Sequence, residues 1–178
     1  MKLKLDGKSL TLEQIDSFLK SNLKVELTKE AKSKVKKARD LVEKWIKDDK
    51  VIYGVTTGFG EFANVKISKS DIEQLQENLI VSHSTGVGDN LPPFIVKIMM
   101  LLRVNALARG NSGIRLETLE LLIEMINNNI IPVIPSQGSV GSSGDLAPLS
   151  HLVLALIGKG KVQVINDVLS PQAHLSKE

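Results

Sequence analysis

The chain has 178 residues, a formal net charge of +3, no cysteine, and 42% hydrophobic against 24% charged residues. These values exclude a disordered or collagen-like chain, and the lack of cysteine excludes disulfides, thiolate metal sites and a cysteine nucleophile. Aromatic residues make up only 3% of the chain, so we expect a core of Leu, Ile and Val. A chain without cysteine fits a reducing compartment, and we expect a cytoplasmic protein.

The positive charge is concentrated in the first fifty residues, which contain 14 Lys and Arg against 9 Asp and Glu. A basic segment can contact nucleic acid, but the lysines between positions 29 and 47 are scattered around a predicted helix and mixed with acidic residues. We interpret them as a solvated helix face and expect no nucleic-acid partner. The longest apolar runs, 94–102 and 152–157, are interrupted or too short for a membrane span.

The N-terminal half begins with short alternating patterns and becomes helical. Residues 1–27 alternate apolar and polar side chains, which predicts small strands around a short helix. The stretch 28–50 has a helical period and begins at an N-cap candidate, Thr28. A second helix is predicted over 70–86, because Ser70 starts a capping-box pattern.

The C-terminal half is dominated by apolar helices. Two prolines precede the stretch 94–108, which is apolar almost all round and is therefore expected to be buried. An amphipathic helix is predicted over 114–128, and a last helix ends at about residue 157. The stretch 161–170, KVQVINDVLS, predicts a hairpin.

These elements predict a mainly α protein in two parts. Residues 1–90 form a small N-terminal α+β part, and residues 91–178 begin a long helical bundle. Strongly apolar helices with so few polar faces are typical of part of a larger bundle. We therefore expect the chain to be truncated relative to a complete functional unit.

The segment 138–145, GSVGSSGD, contains three glycines and three serines directly before a predicted helix. One interpretation is a tight turn followed by a helix cap, in which the Asp145 carboxylate complements the helix dipole. The other is an anion site, because exposed amides at a helix N-terminus attract anions. The segment lacks the Lys-Ser/Thr ending of a phosphate-binding P-loop.

Four stretches together resemble a known family. GSVGSSGDLAPLSH resembles the signature of the histidine and phenylalanine ammonia-lyases, and YGVTTGFGEFA resembles their tyrosine loop. ENLIVSHSTGVGD is similar to their substrate-side helix and LLRVNALARGNSGIR to their first core helix. The matches run in order from about Val51 to Gly158. The resemblance implies an ammonia-lyase-like helical fold and an elimination reaction that releases ammonia.

In this family an inner tripeptide cyclises to a 4-methylidene-imidazol-5-one, without metal or external cofactor. The resemblance assigns it to Ser142-Ser143-Gly144. The Gly144 amide nitrogen would attack the Ser142 carbonyl carbon with loss of one water, and Ser143 would lose a second water to give the methylidene. Gly144 has no Cβ to obstruct the compressed turn, Gly141 permits the approach into it, and Asp145 would orient the segment.

Ser142 departs from the family pattern, which usually has Ala at this position. Its side chain becomes only a substituent of the ring, so the sterics of cyclisation are retained. The alternative is that its hydroxyl hydrogen-bonds locally and keeps the segment uncyclised.

Tyr53 is the one tyrosine of the chain and lies in a glycine-rich stretch that extends to Gly60. A core-edge aromatic with a satisfied hydroxyl is one interpretation. The resemblance matches Tyr53 to the base that removes the β-proton of the substrate. Since a phenol has a reference pKa of about 10, that role needs electropositive or helix-terminal surroundings. The glycines suit a mobile lid.

His83 is the candidate residue that indicates which substrate is bound. Its spacing alone is also typical of an ordinary helical histidine. The pair Ser82-His83 resembles the histidine-specific branch, whereas phenylalanine-type members tend to have an aromatic-Leu pair and tyrosine-type members a His-Leu pair. An imidazole here can hydrogen-bond the imidazole of a substrate histidine. We interpret His151 as structural and His174 as incidental, and predict no metal site.

The resemblance thus implies deamination of L-histidine to trans-urocanate and ammonia, the first step of histidine breakdown, in a homotetramer whose active sites draw on several subunits. Family members are usually much longer, so the residues that bind the substrate carboxylate are expected elsewhere. Two alternatives stay open. One is a truncated or split module that is inactive alone and binds a complementary lyase chain; the other is a tyrosine ammonia-lyase or aminomutase of the same electrophile class.

Overall fold

The computed structural model describes residues 2–21, 23–57, 72–138 and 146–165, with the side chains of residues 72 and 73 left aside. Within these ranges it contains six α-helices and six short strands. The prediction of a mainly α protein with a small N-terminal α+β part is confirmed. No described helix combines the length and apolar character needed to cross a bilayer.

The N-terminal part is a strand-helix-strand unit, as the alternating pattern predicts. It consists of β1 (Lys2–Leu5), α1 (Leu12–Lys20) and β2 (Lys24–Leu27), and the two strands pair in parallel. Helix α1 begins at a capping box, in which Thr11 Oγ1 accepts from the Gln14 amide at 3.3 Å and Gln14 Oε1 accepts from the Thr11 amide at 3.1 Å. Alternate strand residues are buried because successive strand side chains point to opposite faces.

Helix α2 (Lys29–Lys47) follows directly after β2. Thr28 caps it, since Thr28 Oγ1 accepts from the Ala31 amide at 3.1 Å. Ala31 and Val35 are buried, whereas Leu41 is 46% exposed. The apolar stripe of α2 is therefore buried in its first half, whereas in its second half Val42, Trp45 and Ile46 are only half-buried.

Four elements occupy the middle of the chain: α3 (Ile72–His83), β3 (Val87–Asn90), α4 (Pro93–Leu107) and α5 (Leu116–Asn127). Helix α4 packs against α5. Helix α4 is not buried on every side, because Leu102 is 47% exposed. The side of α4 that contacts α5 and β4 is covered, and Leu102 does not lie on that side.

The last elements are β4 (Ile130–Pro132), β5 (Pro135–Gln137), α6 (Leu146–Leu156) and β6 (Val162–Val164). Strand β6 pairs antiparallel with β4, and β5 pairs antiparallel with β3. Strand β6 confirms the first strand of the hairpin predicted over 161–170, and one of its edges pairs with β4; the hairpin itself stays a prediction. Residues 166–170 lie outside the described residues.

One buried cluster joins the strand-helix-strand unit to the helices that follow, and it is made mainly of Leu, Ile and Val, as composition predicts. Phe18 contributes the large aromatic ring. Apolar side chains outside the cluster stay exposed on α4, α5 and β6. The division at residue 90 stays a prediction. The largest fully buried side chains are Phe18, Leu5, Met100, Leu101, Leu119, Ile126, Ile131, Ile134 and Leu152.

Candidate functional site

His83 is the last residue of α3, and its ring is oriented by its own helix. Its Nδ1 lies 2.8 Å from the carbonyl oxygen of Leu79. Because a carbonyl can only accept, Nδ1 carries a proton and donates it. The Ser82 hydroxyl donates to the same carbonyl at 3.0 Å. In the neutral imidazole this leaves the lone pair on Nε2, so His83 presents a hydrogen-bond acceptor at the end of the helix.

Tyr53 lies in a tight turn over residues 53–56, and its side chain is 63% exposed. Two buried threonines hold this turn. Thr56 Oγ1 accepts from the Ile52 amide at 2.9 Å and donates to the Lys50 carbonyl at 2.6 Å, while Thr57 Oγ1 accepts from the Gly54 amide at 3.3 Å. The turn therefore has a defined backbone, and the role of Tyr53 as a base stays a prediction.

The Tyr53 turn and α3 line one cleft. Gly54 and Val55 lie on one side of it, and Glu77 and Ile80 of α3 on another, around a volume of about 700 Å³. Ile157, just after α6, also contributes to the wall. The fold thus brings residues 54 and 55 of the tyrosine turn, the helix of His83 and the end of α6 to a common cleft, although neither Tyr53 nor His83 lines it.

The flanks of the predicted electrophile segment meet the chain just after His83. Strand β5, which ends directly before the segment 138–145, pairs with β3, and α6, which follows that segment, packs against α3. The Gly86 amide donates to His151 Nε2 at 3.0 Å. A Cβ on Gly138 would lie 2.9 Å from Gly86 Cα, so these two backbones are in direct contact.

Several predicted site residues lie outside the described residues, and their roles stay predictions. The helix cap predicted at Ser70 also lies there, and described helix α3 begins at residue 72. Among the residues that the structure does describe, no group of three His, Asp or Glu side chains could hold a metal ion. The undescribed site residues are Gly60, Gly141, Ser142, Ser143, Gly144 and Asp145.

Sequence reasoning missed two residues that organise the site. Thr56 and Thr57 are 6% and 2% exposed, and a Thr-Thr pair inside a glycine-rich stretch is the signal that could have indicated anchors for the turn. The structural role predicted for His151 agrees with its hydrogen bond to Gly86, but that partner lies 65 positions away, and no local pattern reveals it.

Comparison with known proteins places this geometry in a family. The family described as aromatic amino acid lyase matches residues 10–178. The chain belongs to the aromatic amino acid lyase family. It is 54% identical over 160 residues to a histidine ammonia-lyase of Caldanaerobacter subterraneus subsp. tengcongensis, a match that covers 90% of this chain and 32% of the relative.

Solved structures agree with this assignment. The crystal structure of histidine ammonia-lyase from Trypanosoma cruzi superposes with a TM-score of 0.85 at 38% identity, covering 94% of this chain and 32% of that one. Tyrosine aminomutase from Streptomyces globisporus superposes with a TM-score of 0.83 at 35% identity, covering 100% and 33%. The chain therefore spans about a third of the length of these relatives, and the ammonia-lyase-like fold is confirmed.

Proposed function

We propose that this chain is the N-terminal portion of a histidine ammonia-lyase, which converts L-histidine to trans-urocanate and ammonia in histidine breakdown. One observation supports the proposal above the others: the fold holds both flanks of the Ser142-Ser143-Gly144 segment against the chain that follows His83. A substrate-binding imidazole and the electrophile would then lie at one site. The identity of 54% to a histidine ammonia-lyase supports histidine as the substrate.

His83 is proposed to bind the substrate imidazole. Its Nδ1 proton is committed to the Leu79 carbonyl, so the neutral ring offers Nε2 as an acceptor. An imidazole N–H of substrate histidine can donate to it, whereas a phenyl ring has no such donor. The tyrosine ammonia-lyase or aminomutase alternative keeps support from the likeness to tyrosine aminomutase at 35% identity, because a phenol can also donate.

Ser142-Ser143-Gly144 is proposed to form the methylidene-imidazolone by loss of two waters. That group supplies an electrophile that turns the substrate amine into a leaving group. Tyr53 would take the β-proton, and its turn, in which Gly54 and Val55 line the cleft beside α3, is anchored by Thr56 and Thr57. Ammonia and urocanate then leave.

The remaining pocket is proposed to come from other chains or chain portions. Exposed apolar side chains such as Leu102, Leu121 and Val164, which are 47%, 43% and 66% exposed, suit burial against further helices. We propose a homo-oligomer or a complex with a complementary lyase chain, in the cytoplasm, that acts on a small amino acid and binds neither nucleic acid nor a membrane.

The test begins with the intact mass of the purified chain and a peptide map across residues 130–160. We expect a deficit of two waters confined to the Ser142–Gly144 peptide. The matched control is Ser143→Ala, which keeps the backbone but has no hydroxyl to eliminate. A mass equal to the plain sequence in the parent chain would overturn the proposed electrophile.

Substrate choice is tested with purified chain that carries the deficit. Histidine and tyrosine are supplied together, the absorbance of urocanate and of coumarate is followed, and β-tyrosine is measured by chromatography. We expect urocanate alone. Coumarate or β-tyrosine without urocanate would instead support the tyrosine-specific alternative, and no product from either substrate would support a module that is inactive without a complementary chain.

A further inference from the structure

His151 lies on α6, five residues after the helix begins, and its side chain reaches back to another segment. Its Nε2 accepts a hydrogen bond from the Gly86 amide at 3.0 Å. Accepting there requires a lone pair on Nε2, so the ring is neutral with its proton on Nδ1. Burial also lowers the pKa of His151 from its ordinary 6.5, which favours the same neutral form.

Gly86 is the point where three segments meet. A Cβ at Gly86 would lie 2.9 Å from His151 Nε2 and 3.0 Å from Pro135 Cβ, so glycine is needed for this approach. On the other side, a Cβ at Gly138 would lie 2.9 Å from Gly86 Cα and 3.2 Å from Ala147 Cβ. Gly138, the residue before the undescribed stretch 139–145, is therefore packed against Gly86, and Ala147, just after that stretch, is packed against Gly138.

The connection from Gly86 back to His83 is short and hydrogen-bonded. Ser84 Oγ donates to the Ile80 carbonyl at 2.8 Å, and the Ser84 amide donates to the Val81 carbonyl at 3.1 Å. These bonds tie the residue after His83 to the last turn of α3. A displacement of Gly86 would thus be transmitted to the imidazole of His83 over only three residues.

We infer that His151 is a positioning residue, which holds Gly86, three residues after His83, against α6 and so fixes the end of α3 relative to the described flanks of the Ser142-Ser143-Gly144 segment. The inference rests on the proposed function for the roles of His83 and the tripeptide. Its structural content stands on the contacts among His151, Gly86 and Gly138. Without the imidazole acceptor the Gly86 amide loses its partner, and α6 loses the hydrogen bond that ties it to the chain after α3.

The experiment compares His151→Gln with His151→Leu in the full 178-residue chain. Glutamine can place its Oε1 near the position of Nε2 and accept from the Gly86 amide, whereas leucine has similar bulk and no acceptor. Three quantities are measured: amide hydrogen exchange at Gly86, exchange of peptides covering 79–90 and 133–150, and the two-water mass deficit as a function of time after synthesis.

If His151 acts by positioning, the Gly86 amide of the His151→Leu variant exchanges its hydrogen about tenfold faster than in the parent chain. The peptides covering 79–90 and 133–150 also exchange faster in this variant, and its two-water mass deficit forms more slowly. His151→Gln stays close to the parent in all three quantities, although the thermal midpoints of the two variants are alike. If His151 contributed only to overall packing, glutamine would not restore the exchange rates and the rate of deficit formation while the two variants have the same thermal midpoint.

Two results overturn the inference. One is parent-like exchange in His151→Leu, and the other is faster exchange at Gly86 in that variant with the deficit formed at the parent rate. The second result would leave the proposed function intact. If the parent chain itself shows no deficit, the proposed electrophile fails, and the exchange data alone then decide whether His151 holds the two segments together.

Discussion

Substitution of Gly110, in the turn after α4, tests how closely this turn packs against α2. Its φ is +75°, and a Cβ there would lie 2.7 Å from the carbonyl carbon and 2.7 Å from the Cβ of Lys34 on α2. One neighbour is backbone, so the helix itself would have to shift. Gly158 is a matched control, because its φ is +74° and nothing lies within 4 Å of its would-be Cβ.

The two substitutions share one energetic cost and differ in another. Alanine at either position must adopt a left-handed backbone, which costs about 1–2 kcal/mol. Gly110→Ala adds overpacking against Lys34, for which about 1–3 kcal/mol is typical. We therefore expect Gly110→Ala to lower the free energy of unfolding by about 1–3 kcal/mol more than Gly158→Ala does.

Urea denaturation followed by far-UV circular dichroism measures both free energies of unfolding. The comparison is valid when the denaturant slopes of the two variants agree, because the surface exposed on unfolding is then the same. An equal decrease in the free energy of unfolding for Gly110→Ala and Gly158→Ala would refute the reasoning. It would show that α2 shifts to accommodate the added methyl group without an energetic cost.

Four further predictions concern the core, two titrating groups and the site. Leu119→Ala should lower the free energy of unfolding by about 2–5 kcal/mol in urea denaturation, because Leu119 is 0% exposed; Leu121→Ala, at 43% exposure, is the control and should cost much less. Because burial lowers the pKa of His151 below 6.5, the unfolded chain takes up a proton first, and stability should fall as pH drops from 6.5 toward the lowered pKa. His151→Gln should lack that step in denaturation curves at several pH values. Burial and the positive charge of Lys24 lower the pKa of Lys97 from 10.5, so stability should rise as pH increases toward 10.5, and Lys97→Met should abolish the rise. Tyr53→Phe should reduce urocanate formation by the active assembly by about 100-fold or more while leaving the two-water mass deficit unchanged; an undiminished rate would remove Tyr53 from the mechanism.

Local patterns predicted most of the helices because their signals are local. Thr28 caps α2 through a hydrogen bond to an amide three residues away, and the proline at 93 begins α4. The pairing of β6 with β4 could not be predicted for the opposite reason. A short alternating run indicates that a strand forms but not which strand it pairs with, and β4 precedes α6 in the chain whereas β6 follows it.

The sequence by itself determined where most of the helices lie, to within a few residues of their ends, the Leu, Ile and Val core and, through four ordered motifs, the family and its candidate residues. Only the tertiary structure decided which of these residues meet. Gly86 and His151 are 65 residues apart, and their hydrogen bond exists because β3 pairs with β5 while α3 packs against α6. Contacts of that kind depend on the packing of whole elements, whereas periodicity and capping depend on residues within one or two turns.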